Sequence, residues 1–205
     1  MRVGSPDERK VHHMEGCADG GGFLREAVDT PVGRLECLIA GGRLLGLRYA
    51  DGGEGAEACG GSGEPAQKGA SLELGTRRRG EKDADVLLRL RRQLGEYFSG
   101  RLRAFDLPIR LCGTPFRIEV WKGLLKIPYG SSSTYSGIAA GMGRPTACRA
   151  VGQANHANPI SIVVPCHRVI GSDGGLRGYA GGLEAKRALL ALESEAPSRK
   201  GGPKR

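Results

Sequence analysis

The sequence predicts an α+β fold, with a small sheet-bearing N-terminal unit followed by a mostly helical C-terminal unit. Three features point there. Short apolar–polar runs between Phe23 and Tyr49 are punctuated by turn residues, apolar residues recur at helical spacing from Val86, and capped short helices succeed one another after Thr114. The chain has 205 residues, 35 of them glycine and few aromatic, so part of it contributes little to a core.

Residues 1–22 mix charges and glycines without periodicity and read as a disordered leader. His12, His13, Cys17 and Cys37 are candidate zinc ligands, but their spacing matches no closed tetrahedral pattern, so neither structural zinc nor another cofactor is expected. The N-terminal unit spans 23–111. Its runs Phe23–Val28, Leu35–Ile39 and Leu44–Tyr49 read as strands, joined by hairpin turns at Pro31–Gly33 and Gly41–Gly42. Residues 51–82 lose all pattern and read as a flexible insertion whose run Arg77–Arg79 is solvated. A helix starts at Asp83, with Val86, Leu87, Leu90, Leu94 and Phe98 on one face and Arg89, Arg91, Arg92 and Glu96 on the other. Ser99–Gly100 stops it, Ala104–Leu107 reads as a short strand, and Cys112–Gly113 marks the boundary between units.

The second unit spans 113–193. Thr114 is an N-cap and Pro115 suits the first helical position; Phe116, Val120 and Leu124 share a face with Trp121 beside them as core. The polar run Ser131–Thr134 caps a helix over Tyr135–Met142, Gly143–Pro145 turns, and Thr146–Ala154 is a second helix, which together make a helix-turn-helix pattern. No acidic residue lies between Glu119 and Asp173, while Lys122, Lys126, Arg144, Arg149 and Arg168 do. With a net charge of +9, this favours a phosphate backbone as partner, nucleic acid before membrane. No apolar run is long enough to span a bilayer, and the polar N-terminus is not a secretory signal. The six cysteines are far apart with no C-x-x-C pair, which argues for reduced intracellular thiols.

The run Ile162–Gly171 carries the chemistry. β-Branched residues on both sides of Pro165 read as a buried strand, broken where proline removes a ladder donor. Cys166 would then stand at a strand end with His167 as its neighbour. A free thiol ionises near pH ~8.5 and needs help at neutral pH. Neighbours on a strand point to opposite faces, so His167 would act through a bridging water. The pair suits a group-transfer nucleophile or a Cys–His hydrolase, and a pocket of this kind also suits a binder that does no chemistry. Gly171–Gly182 is a glycine-rich loop that lets backbone approach a flat ligand, Leu183–Glu193 is a final helix, and 194–205 is a disordered basic tail.

Several of these segments, taken together, resemble the O6-alkylguanine-DNA alkyltransferases, the methylated-DNA–protein-cysteine methyltransferases of direct-reversal repair. They are Gly113–Phe116, Val120–Trp121, Ile127–Gly130, Arg149–Gly152, Asn158–Pro159, Pro165–Gly171 and Gly178–Leu183. The resemblance implies a ribonuclease-H-like N-terminal α/β domain and a winged helix-turn-helix-like C-terminal domain. It implies single transfer of an alkyl group from O6 of guanine, and possibly O4 of thymine, in double-stranded DNA to Cys166, by a monomer without cofactor. His167 and Glu193 would complete a Cys–water–His–Glu relay, and Tyr135 would donate to the leaving base. Arg149 would replace a flipped nucleotide in the stack, with Thr134, Ala147, Gln153 and Arg144 also facing DNA in the minor groove. Asn158, Val169, Tyr179 and Ala180 would line or brace the pocket. The chain departs from the family at Ser131–Ser133, Asn155–His156 and Ala180, and the 51–82 insertion has no family counterpart.

Overall fold

The computed structural model describes residues 22–50, 70–74 and 82–195. A sheet of five strands carries the N-terminal half: β1 (Leu24–Thr30), β2 (Gly33–Ala40), β3 (Arg43–Tyr49), β4 (Ala70–Leu74) and β5 (Ile109–Gly113). Its order is β1-β2-β3-β5-β4, antiparallel except for the parallel pair β3/β5. The hairpin turns fall where the sequence put them, at 31–32 and 41–42. Two expectations give way here. Ala104–Leu107 is not a strand; pairing starts at Ile109, beyond Pro108, which has no N–H to donate. The stretch read as a patternless insertion contains β4, whose ladder with β5 runs from Ala70↔Gly113 to Leu74↔Ile109. The rest of that stretch, the leader with His12, His13 and Cys17, and 196–205 lie outside the described residues.

Helix α1 (Asp83–Phe98) packs across β1–β3. Its first turn is held by the Asp85 carboxylate, which accepts from Lys82 N at 2.9 Å. Val86, Leu87, Leu90, Leu94 and Tyr97 are buried. Arg89 joins them, contrary to its expected place on the outer face. Its guanidinium reaches the Asp106 carbonyl at 2.5 Å and carboxylate at 3.2 Å, and that pairing makes burial tolerable.

The C-terminal half contains α2 (Pro115–Leu125), α3 (Tyr135–Gly141), α4 (Cys148–His156) and α5 (Gly182–Glu195), with the short parallel pair β6 (Ser133–Thr134) and β7 (Val169–Ile170). Thr114 and Thr134 cap α2 and α3 through their hydroxyls, which accept from Arg117 N at 3.3 Å and Gly137 N at 3.0 Å. The second helix of the pair starts later than the sequence suggests, because Pro145–Ala147 forms a separate tight turn first. Trp121 is core, its ring N–H donating to the Ala154 carbonyl at 2.8 Å across α2 and α4. Leu35, Tyr97, Trp121, Val164 and Leu189 belong to one apolar cluster, so both halves bury against a shared core.

The largest correction concerns 160–168. No regular strand runs through Ile162–Val164. Instead Ile160 forms a single parallel bridge with Leu47 of β3, and the chain then turns tightly so that Ser161 bridges Val164. Leu47 N donates to the Pro159 carbonyl and Ser161 N to the Leu47 carbonyl, both at 2.8 Å. Ile162 takes φ 70 at this turn, a conformation β-branched residues rarely adopt. Cys166–Arg168 is one turn of 3₁₀-helix. Apolar, β-branched composition signalled burial correctly and mistook it for a ladder.

Candidate active site

The turn at Ile162 brings Cys166 back against Asn158, and His167 follows it in the chain. Asn158, at the end of the approach from α4, donates its side-chain amide to the Val164 carbonyl at 2.8 Å and to Sγ of Cys166 at 3.0 Å. Its carbonyl oxygen accepts from Ile160 N at 3.1 Å, which fixes the amide's orientation. Cys166 is 4% exposed. Burial pushes its thiol up; the Asn158 amide first, and then the charge of Lys186, pull partly against that.

His167 is fully buried and directs Nε2 at Glu193 Oε1, 2.9 Å away. Glu193 sits in α5 and receives a crowd of donors: Arg168 Nε on Oε2 and Nη2 on Oε1, each at 2.8 Å, Gly130 N at 3.1 Å, and the Tyr97 hydroxyl at 2.7 Å. Burial raises this carboxyl, but the bonds from His167 and Arg168 more than offset it and hold it down to about 2. An ionised carboxylate only accepts, so Nε2 of His167 carries hydrogen and Nδ1 is left as an acceptor. Nδ1 has no hydrogen-bond partner among the described residues. Burial lowers the imidazole's pKa against the opposing pull of Glu193, so the ring rests neutral.

Gly130 shows why its position admits no side chain. Its φ is +72, and a Cβ there would sit 3.0 Å from the Glu193 carbonyl oxygen. Lys186, also from α5, is fully buried and donates to the carbonyls of Val169 at 2.6 Å and Arg177 at 2.7 Å, tying the residues before the glycine-rich loop and the middle of that loop to the helix. Tyr179 in that loop meets Tyr49 of β3 edge-on at 5.6 Å, with their hydroxyls 3.3 Å apart.

The other residues singled out in the sequence divide by exposure. Val169 and Tyr179 are buried and Ala180 is partly so. Tyr135, half-buried at the start of α3, lies against Gly152 of α4. Arg149 and Gln153 are exposed on α4, Thr134 is spent as a cap, and Ala147 lies in the turn before α4. Arg144 is exposed and paired with Glu119 at 3.3 Å, so the nearest carboxylate to the acid-free stretch already neutralises one of its cations. Arg168, read in the sequence as part of a basic surface, is instead 7% exposed and bound to Glu193. Tyr97, Tyr49 and Lys186 were given no role at the site by the sequence, where Tyr97 and Lys186 lie on helices and Tyr49 ends a strand. Cys37, Cys148 and Cys166 are free, whereas Cys112 is disulfide-bonded, which departs from the expectation of reduced thiols throughout. Among the described residues no group of His, Cys, Asp and Glu could hold a metal ion, and no helix is long and apolar enough to cross a membrane.

A thiol held by an amide, with a neutral imidazole oriented by a buried carboxylate, is the equipment of a cysteine nucleophile on a mixed α/β fold. Residues 115–195 match the family described as 6-O-methylguanine DNA methyltransferase, DNA binding domain. The methylated-DNA–protein-cysteine methyltransferase of Methanosarcina barkeri is 59% identical over 102 residues, 50% of this chain and 65% of that protein. Its namesake from Methanosarcina mazei is 50% identical over 112 residues, 55% of this chain and 71% of that protein. The crystal structure of Mycobacterium tuberculosis O6-methylguanine methyltransferase aligns with TM-score 0.68 and 39% identity, covering 87% of this chain and 97% of that one. The structure of Mycobacterium tuberculosis OGT in complex with DNA gives 0.66 and 39%, covering 85% and 95%. The chain belongs to the methylated-DNA–protein-cysteine methyltransferase family. It matches 65% of the length of the curated relatives from Methanosarcina barkeri and Mycobacterium tuberculosis.

Proposed function

We propose that this chain performs direct-reversal DNA repair, moving one alkyl group, methyl first, from O6 of guanine in duplex DNA to Sγ of Cys166. What carries the reading is the buried Cys166 with its Asn158 contact at 3.0 Å and the His167–Glu193 bond at 2.9 Å, in a member of this family. Thiol and imidazole both rest neutral, so the proton leaves Cys166 only as the substrate arrives. It passes to Nδ1 of His167, through a bridging water as the sequence suggests, while Glu193 stabilises the imidazolium that forms. Sulfur attacks the alkyl carbon, the S–C bond forms as the C–O6 bond breaks, and the electron pair leaves on the guanine. On this reading the Tyr135 phenol donates to that base as its charge builds. Burial raises the Tyr135 pKa, which keeps the phenol protonated as a donor. The thioether product has no activated leaving group, so each molecule acts once. No cofactor enters the scheme.

Access to a base inside a duplex requires flipping it out, which costs less for an alkylated guanine that pairs poorly. The exposed face of α4 supplies Arg149 to fill the gap, with Gln153, Thr134, Ala147 and Arg144 along the minor groove. Asn158, Val169, Tyr179 and Ala180 bound the pocket. On this reading the C-terminal half is a winged helix-turn-helix variant, the N-terminal half is ribonuclease-H-like, and the protein is an intracellular monomer.

The test is mass spectrometry after incubation with duplex DNA carrying O6-methylguanine. The peptide containing Cys166 gains about 14 Da, one methyl for one hydrogen, and a second aliquot of substrate stays unrepaired. Binding without a mass change would instead make the chain a sensor of alkylated DNA, and ester turnover would make it a hydrolase.

A further inference from the structure

Tyr97 lies in the N-terminal helix α1, 96 positions before Glu193. Its ring is fully buried and packs on Phe98 and Phe105 at 5.3 Å and on Tyr129 at 6.0 Å. Phenylalanine would serve that packing equally well. The hydroxyl leaves the apolar cluster to donate to Oε1 of Glu193 at 2.7 Å, the oxygen that also accepts from His167 Nε2 at 2.9 Å and Arg168 Nη2 at 2.8 Å. Burial and the neighbouring carboxylate push the phenol's pKa up, so it remains a donor at every physiological pH.

We infer that Tyr97 is a positioning residue for alkyl transfer, acting through Glu193 to fix the orientation and basicity of His167. The inference rests on the function proposed above. Arg168 and Gly130 approach the carboxylate from the C-terminal half; Tyr97 holds it from the N-terminal half, so the two halves jointly set its plane. A charge-assisted O–H···O⁻ bond also withdraws charge from Oε1, which weakens that oxygen's pull on the imidazole. His167 faces Glu193, Arg168, Lys186, Tyr179 and Cys166, and Glu193 faces Tyr97, Tyr129 and Arg168 besides His167. Burial, Arg168 and Lys186 hold the imidazole down and Glu193 opposes them. Loss of the Tyr97 hydroxyl strengthens Glu193's side of that balance, so the pKa of His167 rises.

The experiment is Tyr97→Phe in the full chain, which keeps the ring and removes one oxygen. Single-turnover methyl transfer is measured against pH, alongside the ¹⁵N titration of the His167 ring and thermal unfolding. The rate per folded molecule at neutral pH falls on the order of 10-fold, the size seen when a partner that orients a functional histidine is removed. The His167 titration moves up by about half a pH unit, and duplex affinity is unchanged. A variant that melts earlier but transfers at the wild-type rate, with His167 titrating as before, has lost only packing and overturns the inference. If the wild type itself transfers no methyl group, the functional reading fails, and the ¹⁵N titration still decides Tyr97: an unmoved His167 overturns its role.

Discussion

The α3–α4 pair and the Cys166 site are neighbours built on opposite plans. α4 turns Arg149 and Gln153 outward into solvent, and the cap of α3 is satisfied within its own first turn. The site does the reverse. Cys166, His167, Arg168, Lys186 and Glu193 are all at most 7% exposed, and their bonds reach Asn158, Ile127, Gly130 and Tyr97. One region is left open for a partner to complete; the other is complete beforehand. Affinity and reactivity are therefore expected to respond to different substitutions.

Glu193→Gln strikes the site hardest. The amide leaves Arg168 buried without its counter-charge, at a cost of about 3–5 kcal/mol, and removes the group that stabilises the imidazolium, slowing transfer by about 10³-fold or more. Urea denaturation and single-turnover kinetics read both effects, and a stable, active variant would dissolve the contrast with α4. The same carboxyl makes the fold acid-sensitive. Its pKa, held down to about 2 from 4.5 in the folded chain, means that its stabilisation is full above pH 4.5 and is lost as pH falls toward 2. The loss amounts to about 3 kcal/mol, seen as a slope in stability against pH that Glu193→Gln flattens.

Arg149→Ala probes the open region. Repair of duplex DNA drops by about 10–100-fold, roughly 1–3 kcal/mol of lost stacking and contact. Reaction with a free O6-alkylguanine base, which needs no flipping, stays at the wild-type rate. Equal losses in both assays would mean that the two regions are coupled after all.

Lys186→Met has a smaller and pH-dependent effect. Burial draws the lysine's pKa down to about 8 from 10.5, so it is charged below that pH and helps the thiol ionise. Without it the Cys166 thiol ionises less readily and transfer slows by roughly 10-fold near neutrality, and the deficit shrinks as pH passes 8. A deficit independent of pH would assign the lysine to holding the loop alone. Gly181→Ala comes last. Its Cβ would fall 2.4 Å from the Tyr49 ring, so ring or loop must yield, costing about 1–3 kcal/mol. Adding Tyr49→Ala to it recovers part of that loss if the clash is the cause.

Much of this was legible in the chain because local rules dominate where it was read correctly. Glycine-marked hairpins, threonine caps and the apolar face of α1 are decided within a few residues, and Cys166 and His167 are adjacent in the chain. Arg89 and Arg168 were read as surface because an arginine's default is solvent; each is buried by a carbonyl or carboxylate that periodicity cannot foresee. Composition alone could not distinguish a buried strand from the tight turn at Ile162, and Tyr97 gave no sign of being other than core. What the sequence withheld are contacts made late along the contour.

The donors on Glu193 lie 25, 26, 63 and 96 positions upstream of it, at Arg168, His167, Gly130 and Tyr97. Synthesis runs in the same direction, so every one of them leaves the ribosome before the residue they hold. Separations of that length also make their closure a late event in folding. During translation Cys166 is an ordinary thiol with an unoriented histidine beside it. On the function proposed above, it gains its chemistry only when α5 docks, and a nucleophile used once is thereby kept from being spent on an unfinished chain.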